Sequence, residues 1–124
     1  MRRLLPEPAD DITVDEAYRS PLHTRSDRPW VGLCMVASLD GSTAVDGTSA
    51  KLSSRTDSAV LNRLRQLADV IVVGAGTVRD ERYGAPRKAD QRVGVVSLSG
   101  DLDYRSELFT SGAGDAGVLE AETA

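Results

Sequence analysis

The sequence predicts an α/β fold in which a mostly parallel sheet is covered by helices. Two observations lead there. Hydrophobic residues make up 40% of the 124 positions, yet only Tyr18, Trp30, Tyr83, Tyr104 and Phe109 are aromatic. The core must therefore be aliphatic, as in parallel strands buried on both faces. The second observation is the order of segments: short apolar runs bounded by Gly and Pro, separated by a stretch with helical periodicity.

Residues 1–29 are polar and carry Pro6, Pro8, Pro21 and Pro29. They read as an arm that wraps the domain, with a helical turn around Val14–Tyr18. Residues 30–39, Trp-Val-Gly-Leu-Cys-Met-Val-Ala-Ser-Leu, are almost continuously apolar and read as a buried strand. Asp40-Gly41 ends it, and a loop rich in Gly, Ser and Thr runs to about Ser53. Residues 54–68 are the strongest helix. Ser54 and Asp57 have N-cap spacing, and Val60, Leu61, Leu64, Leu67 and Ala68 form one apolar stripe. Arg55, Asn62, Arg63 and Gln66 fall on the opposite side, whereas Arg65 borders the stripe. Residues 69–74, Asp-Val-Ile-Val-Val-Gly, form a second strand, which makes a βαβ unit with the first. A short helix is expected from Thr77, a polar loop over 84–90, a third strand over 93–97 and a turn at 99–101. Residues 111–124, rich in Gly, Ala and Glu, read as a flexible tail.

Composition excludes several function classes. The net charge of -4 argues against sequence-independent nucleic-acid binding. A small basic cluster, Arg82, Arg87, Lys88 and Arg92, is either a solvated loop or a patch that meets a phosphorylated ligand. Cys34 is the only cysteine, so no intrachain disulfide forms, and its apolar neighbours suggest a buried small hydrophobe. His23, the only histidine, lies in a polar segment and reads as incidental; no metal site is expected. No apolar stretch is long enough to span a bilayer, and no apolar signal core follows Arg2-Arg3. The expected location is cytoplasmic.

Two segments carry candidate chemistry, because ligands of open α/β sheets bind beyond the carboxyl ends of the strands. Asp40, in Ser38-Leu39-Asp40-Gly41, puts a carboxylate there that can orient a hydroxyl or assist proton transfer. An ordinary Asp-Gly turn explains the same residues. Gly74-Ala75-Gly76-Thr77 lets a ligand approach backbone N–H groups closely. It lacks the third glycine of the dinucleotide fingerprint, and Thr77 with Asp80 also has capping-box spacing. Both readings stay open at each segment.

Taken together, the strand ending in Ser-Leu-Asp-Gly, the Ser/Gly loop, the helix ending Leu64-Arg65 and the strand Asp-Val-Ile-Val-Val-Gly followed by Gly-Thr-Val resemble the pyrimidine reductase family of riboflavin biosynthesis. The resemblance covers roughly residues 30–100. It implies a dihydrofolate-reductase-like three-layer α/β fold, with residues 30–110 as the N-terminal part of the reductase domain. It also implies NADPH as cofactor and a phosphorylated pyrimidine, a phosphoribosylamino-pyrimidine, as substrate. By similarity, Ser49, Arg65 and Arg87 match substrate-binding positions. Lys51, Gly74, Gly76, Thr77, Asp80 and Glu81 match the cofactor side, and Asp40 the catalytic position. Lys51 stands where many relatives carry an aromatic residue. The loop Asp80-Glu81-Arg82-Tyr83-Gly84-Ala85-Pro86-Arg87 departs from the relatives' pattern, which leaves a pterin-like substrate open. Family members often form homodimers. Residues 101–124 supply neither the later strands nor the second glycine-rich loop of the family, so an incomplete fold is expected. An inactive remnant, a nucleotide-binding module and an unrelated α/β interaction domain are the alternatives.

Overall fold

A computed structural model describes residues 1–19, 27–112 and 114–120. His23 and residues 121–124 of the expected tail lie outside the described residues. The chain divides into two compact units, Met1–Leu67 and Ala68–Ala124.

In the first unit the expected helical turn is α1, Val14–Ala17. Its start is a capping box: the Glu16 N–H donates to Thr13 Oγ1 (3.1 Å), and the Thr13 N–H donates to Glu16 Oε2 (2.8 Å). The Thr13 N–H, and after it the Thr13 hydroxyl donating to the same Oε2 (2.9 Å), hold the Glu16 carboxyl below the ordinary carboxylate range. The long helix is α2, Arg55–Leu67, and the Asp57 N–H donates to Ser54 Oγ (3.1 Å), the predicted cap. Val60, Leu61, Leu64 and Leu67 are half-buried, whereas Asn62 and Gln66 are exposed. Arg63 departs from the expected solvent face. It is half-buried, and its Nε donates to the Tyr18 carbonyl (3.0 Å) and lies 3.1 Å from Asp15 Oδ1. One arginine thus fastens the arm to α2.

The expected strand over residues 30–39 does not form. Trp30, Val31, Leu33 and Met35 are exposed, Val31 to 85%. Cys34 is exposed as well, which corrects the buried reading. The reason is physical: an apolar run is a strand only when neighbours accept its backbone bonds, and no described segment pairs with it. A small feature appears where only a loop was expected. Val45 and Thr48 pair across Asp46-Gly47, both with positive φ (51° and 79°), a two-residue hairpin turn.

The second unit is a three-stranded parallel sheet in chain order, β1 (Val70–Gly74), β2 (Arg92–Ser97) and β3 (Asp115–Glu120). Helix α3, Ala75–Asp80, connects β1 to β2, and α4, Glu107–Thr110, connects β2 to β3. The βαβ unit expected upstream of β1 is therefore found downstream of it. In register, Ile71 faces Val93 and Ala116, and Val73 faces Val95 and Val118. That face meets Ala75, Val78 and Leu108, and Val93 and Val95 are the most deeply buried side chains. The opposite face carries Val70, Val72, Val96 and Leu119, all exposed. Gln91, 3% exposed, donates from Nε2 to the Ala68 carbonyl (2.9 Å) and pins the entry of β1 beside the entry of β2.

β3 lies inside the segment expected to be a tail. Asp-Ala-Gly-Val-Leu-Glu holds few strong strand formers and is preceded by glycines, so its local signal is weak. The ladder with β2 supplies what propensity does not. Gly114, just before β3, is required by space. A Cβ there would lie 2.5 Å from the Gln91 carbonyl oxygen and 2.6 Å from Pro86 Cγ, and its φ is +103°.

Candidate functional site

In the first unit the segment around Asp40 is a self-contained turn. The Gly41 N–H donates to the Ser38 carbonyl (2.9 Å), and the Ser38 N–H donates to the Ser42 carbonyl (2.9 Å). Gly41 has φ +84°, a conformation that favours glycine and explains the Asp-Gly pair. The Ser38 hydroxyl donates to Asp40 Oδ1, and so does the Ser42 N–H (3.1 Å). These two donors, the hydroxyl first, hold the exposed carboxyl below its ordinary value. Asp40 is therefore an anion at neutral pH: it suits accepting a hydrogen bond and does not suit supplying a proton. The sequence signal for its partner is a serine two positions earlier, Ser38.

Ser49 and Lys51 share one short turn. Ser49 precedes the 3₁₀ turn Ala50–Leu52 and accepts the Leu52 N–H (3.0 Å). The Lys51 ammonium pairs with Asp46 from the hairpin, so a ligand phosphate would compete with an aspartate. Arg65 is half-buried on the last turn of α2, the position derived from the stripe.

In the second unit Gly74 ends β1 and is the N-cap of α3, with φ −75° and ψ 147°. The helix thus begins two residues earlier than expected, and Thr77 stands inside its first turn. Thr77 is not the cap, no side chain caps α3, and Asp80 is its last residue, so the capping box is not formed. Thr77, Asp80, Glu81 and Arg87 are all exposed. Neither Gly74 nor Gly76 is demanded by the chain: a Cβ on either would meet nothing within 4 Å, and neither has a positive φ. Open space above two glycines one residue apart at a strand's carboxyl end is what a ligand lying on the backbone needs. Gly74, Gly76 and Thr77 stand at this turn, and Asp80 and Glu81 at the far end of α3.

The structure brings Gly74, Gly76 and Thr77 to one turn, and Ser49 and Lys51 to another. Asp40, Ser49, Lys51 and Arg65 belong to the first unit; the remaining candidates belong to the second. Among the described residues no group of His, Cys, Asp and Glu could hold a metal ion, and no helix is long and apolar enough to cross a membrane.

Similarity to known proteins agrees with this architecture. The sequence profile of the RibD C-terminal domain matches residues 29–124. The chain belongs to the RibD C-terminal domain family. In structure it is similar to a pyrimidine reductase-like protein from Corynebacterium diphtheriae, with a TM-score of 0.57 and 28% identity. That match covers 71% of this chain and 43% of the other, so the chain spans under half the length of that protein. No curated protein matches the chain significantly in sequence. The fold is thus part of the pyrimidine reductase-like, dihydrofolate-reductase-like α/β architecture, and the family is of reductase type.

Proposed function

We propose that this chain is part of an NADPH-dependent reductase acting on a phosphoribosylamino-pyrimidine. One observation supports this reading above others: the Gly74–Thr77 turn keeps open space over two glycines that the chain's own packing and φ angles do not require. When bound, NADPH would supply hydride to the sugar-derived carbon of the substrate. On the protein's side, Gly74 and Gly76 admit the cofactor to the backbone, Thr77 offers a hydroxyl, and Asp80 and Glu81 accept from ribose hydroxyls. Lys51 adds a cation after exchange from Asp46. Arg65 in the first unit and Arg87 in the second each carry the guanidinium chemistry that suits a substrate phosphate, and Ser49 a hydroxyl. Asp40, held ionised, positions a sugar hydroxyl by accepting a hydrogen bond from it. A homodimer in the cytoplasm is the proposed setting.

The test is fluorescence titration with NADPH on the wild type and Thr77→Val, paired with thermal melts. Because Thr77 does not cap α3, the variant should bind roughly tenfold more weakly with its melting temperature nearly unchanged, a loss of about 1.4 kcal/mol in affinity. A lower melting temperature with intact affinity would mark Thr77 as structural. A second reading, a nucleotide-binding module without turnover, is favoured by Asp40, whose carboxylate already serves its own turn. Asp40→Asn separates the two: a reductase turns over as wild type and loses that turnover in the variant while keeping NADPH affinity, whereas a module binds NADPH in both forms and turns over in neither.

A further inference from the structure

The second unit holds a cleft of about 420 Å3 between the end of α3 and the start of α4, a size that suits a small molecule. Its lining falls into three chemical parts. Val78, Tyr83 and Leu102 supply carbon, Arg79 and Arg82 positive charge, and Asp103 and Glu107 negative charge. The formal charges of these four cancel, so neither a bare anion nor a bare cation meets walls of one opposite sign.

The walls are held before a ligand arrives. Arg79 Nη1 donates to the Asp101 carbonyl (2.8 Å), and Asp103 Oδ1 accepts the Arg105 N–H (3.0 Å). Such preorganisation lowers the cost of binding. Glu107 reaches from α4 towards the opposite wall: its Oε2 lies 3.7 Å from where a Cβ on Gly84 would stand. A carboxylate from one wall therefore lies beside the segment that carries Arg82 on the other. The Ser106 hydroxyl, also in the lining, is enclosed and has no hydrogen-bond partner. An enclosed hydroxyl without a partner is a cost that a polar ligand group beside it would relieve.

We propose that this cleft binds an apolar α-amino acid as its zwitterion, with the carboxylate on Arg82, the ammonium on Asp103 and Glu107, and the side chain against Val78, Tyr83 and Leu102. The three-part lining selects this class, because an α-amino acid carries an anion, a cation and a hydrocarbon group on one carbon. A guanidinium fork matches a carboxylate, and the three donors of an ammonium suit two carboxylate acceptors. A sugar offers neither the cation nor the hydrocarbon, and a phosphate would be repelled by Asp103 and Glu107. The proposal stands on the second unit alone and does not depend on the reductase reading.

The experiment titrates the full chain, labelled with ¹⁵N, against L-leucine and three molecules that each lack one part of it. These are 4-methylpentanoate (no ammonium), 3-methylbutylamine (no carboxylate) and glycine (no hydrocarbon). L-leucine should give saturable shifts confined to amides of residues 78–84 and 102–107, and each of the other three should bind about tenfold or more weakly. Arg82 has φ +49°, a conformation that glycine suits, so Arg82→Gly should melt no lower than the wild type. That variant should lose about tenfold in affinity for L-leucine and none for 3-methylbutylamine. Glu107→Gln should weaken L-leucine and leave 4-methylpentanoate unchanged. A merely structural role for either residue would weaken all the probes alike. The proposal is overturned by no saturable binding of L-leucine, by a truncated molecule binding as tightly as L-leucine, or by Arg82→Gly weakening the amine as much as the amino acid. Ribose 5-phosphate binding more tightly than L-leucine at the same amides would overturn it too.

Discussion

Asp40 is legible by type, whereas its charge state depends on neighbours that only the folded turn brings to it. Its place before Gly41 marks a turn and a carboxylate together, and both are present. Its protonation state followed from neighbours, Ser38 and Ser42, whose approach depends on the turn closing. A depressed carboxyl has a defined pH signature. The stability it contributes is complete above the unfolded-state value near 4 and is lost as pH falls through the lower folded value. The group is fully exposed, so the contribution is small. Carboxyl-resolved NMR titration should find Asp40 deprotonating below its ordinary range in the wild type, and Ser38→Ala should move it upward, because the largest stabiliser of the anion is gone. An Asp40 that titrates at its ordinary value would remove the case for a pre-set anion. Arg65 was legible for a different reason: helical periodicity alone placed it at the edge of the apolar stripe.

At the scale of elements, those with strong local chemistry matched their expectation. The Ser54 cap, the stripe of α2 and the β-branched run of β1 each declare themselves within a few residues. The mismatches are elements that depend on partners. Residues 30–39 look like a strand and find no ladder; residues 115–120 look like a tail and find one on β2. Sequence windows carry no information about which backbone groups will be nearby. The junction before β3 is sharply constrained all the same. Gly114→Ala would force a Cβ against the Gln91 carbonyl in a backbone conformation that L residues avoid. The expected cost is about 3 kcal/mol, read from the urea midpoint. Gly117→Ala, with open space around its Cβ and no positive φ, is the control and should cost about 1 kcal/mol or less.

For the molecule as a whole, aliphatic composition indicated the fold class, and the match to residues 29–124 fixed the family. The two units differ in how their backbones are protected. In the second, β2 is paired on both sides and carries Val93 and Val95 at 1% and 0% exposure. In the first, the apolar run 30–39 is unpaired. Hydrogen exchange should therefore be slowest at residues 93–96 and near the unprotected rate at 31–36. Protection at 31–36 equal to that of β2 would mean that the run is paired in solution.

Spatial and covalent order coincide in the sheet: Val70 aligns with Arg92, and Arg92 with Asp115, steps of 22 and 23 residues. Each strand can therefore be recruited by the one synthesised just before it, without waiting for a distant stretch to arrive. Closing two similar, moderate loops is a light entropic demand for parallel pairing. Assembly on the ribosome would then proceed like a zipper, with β2 as the first strand to be flanked on both sides.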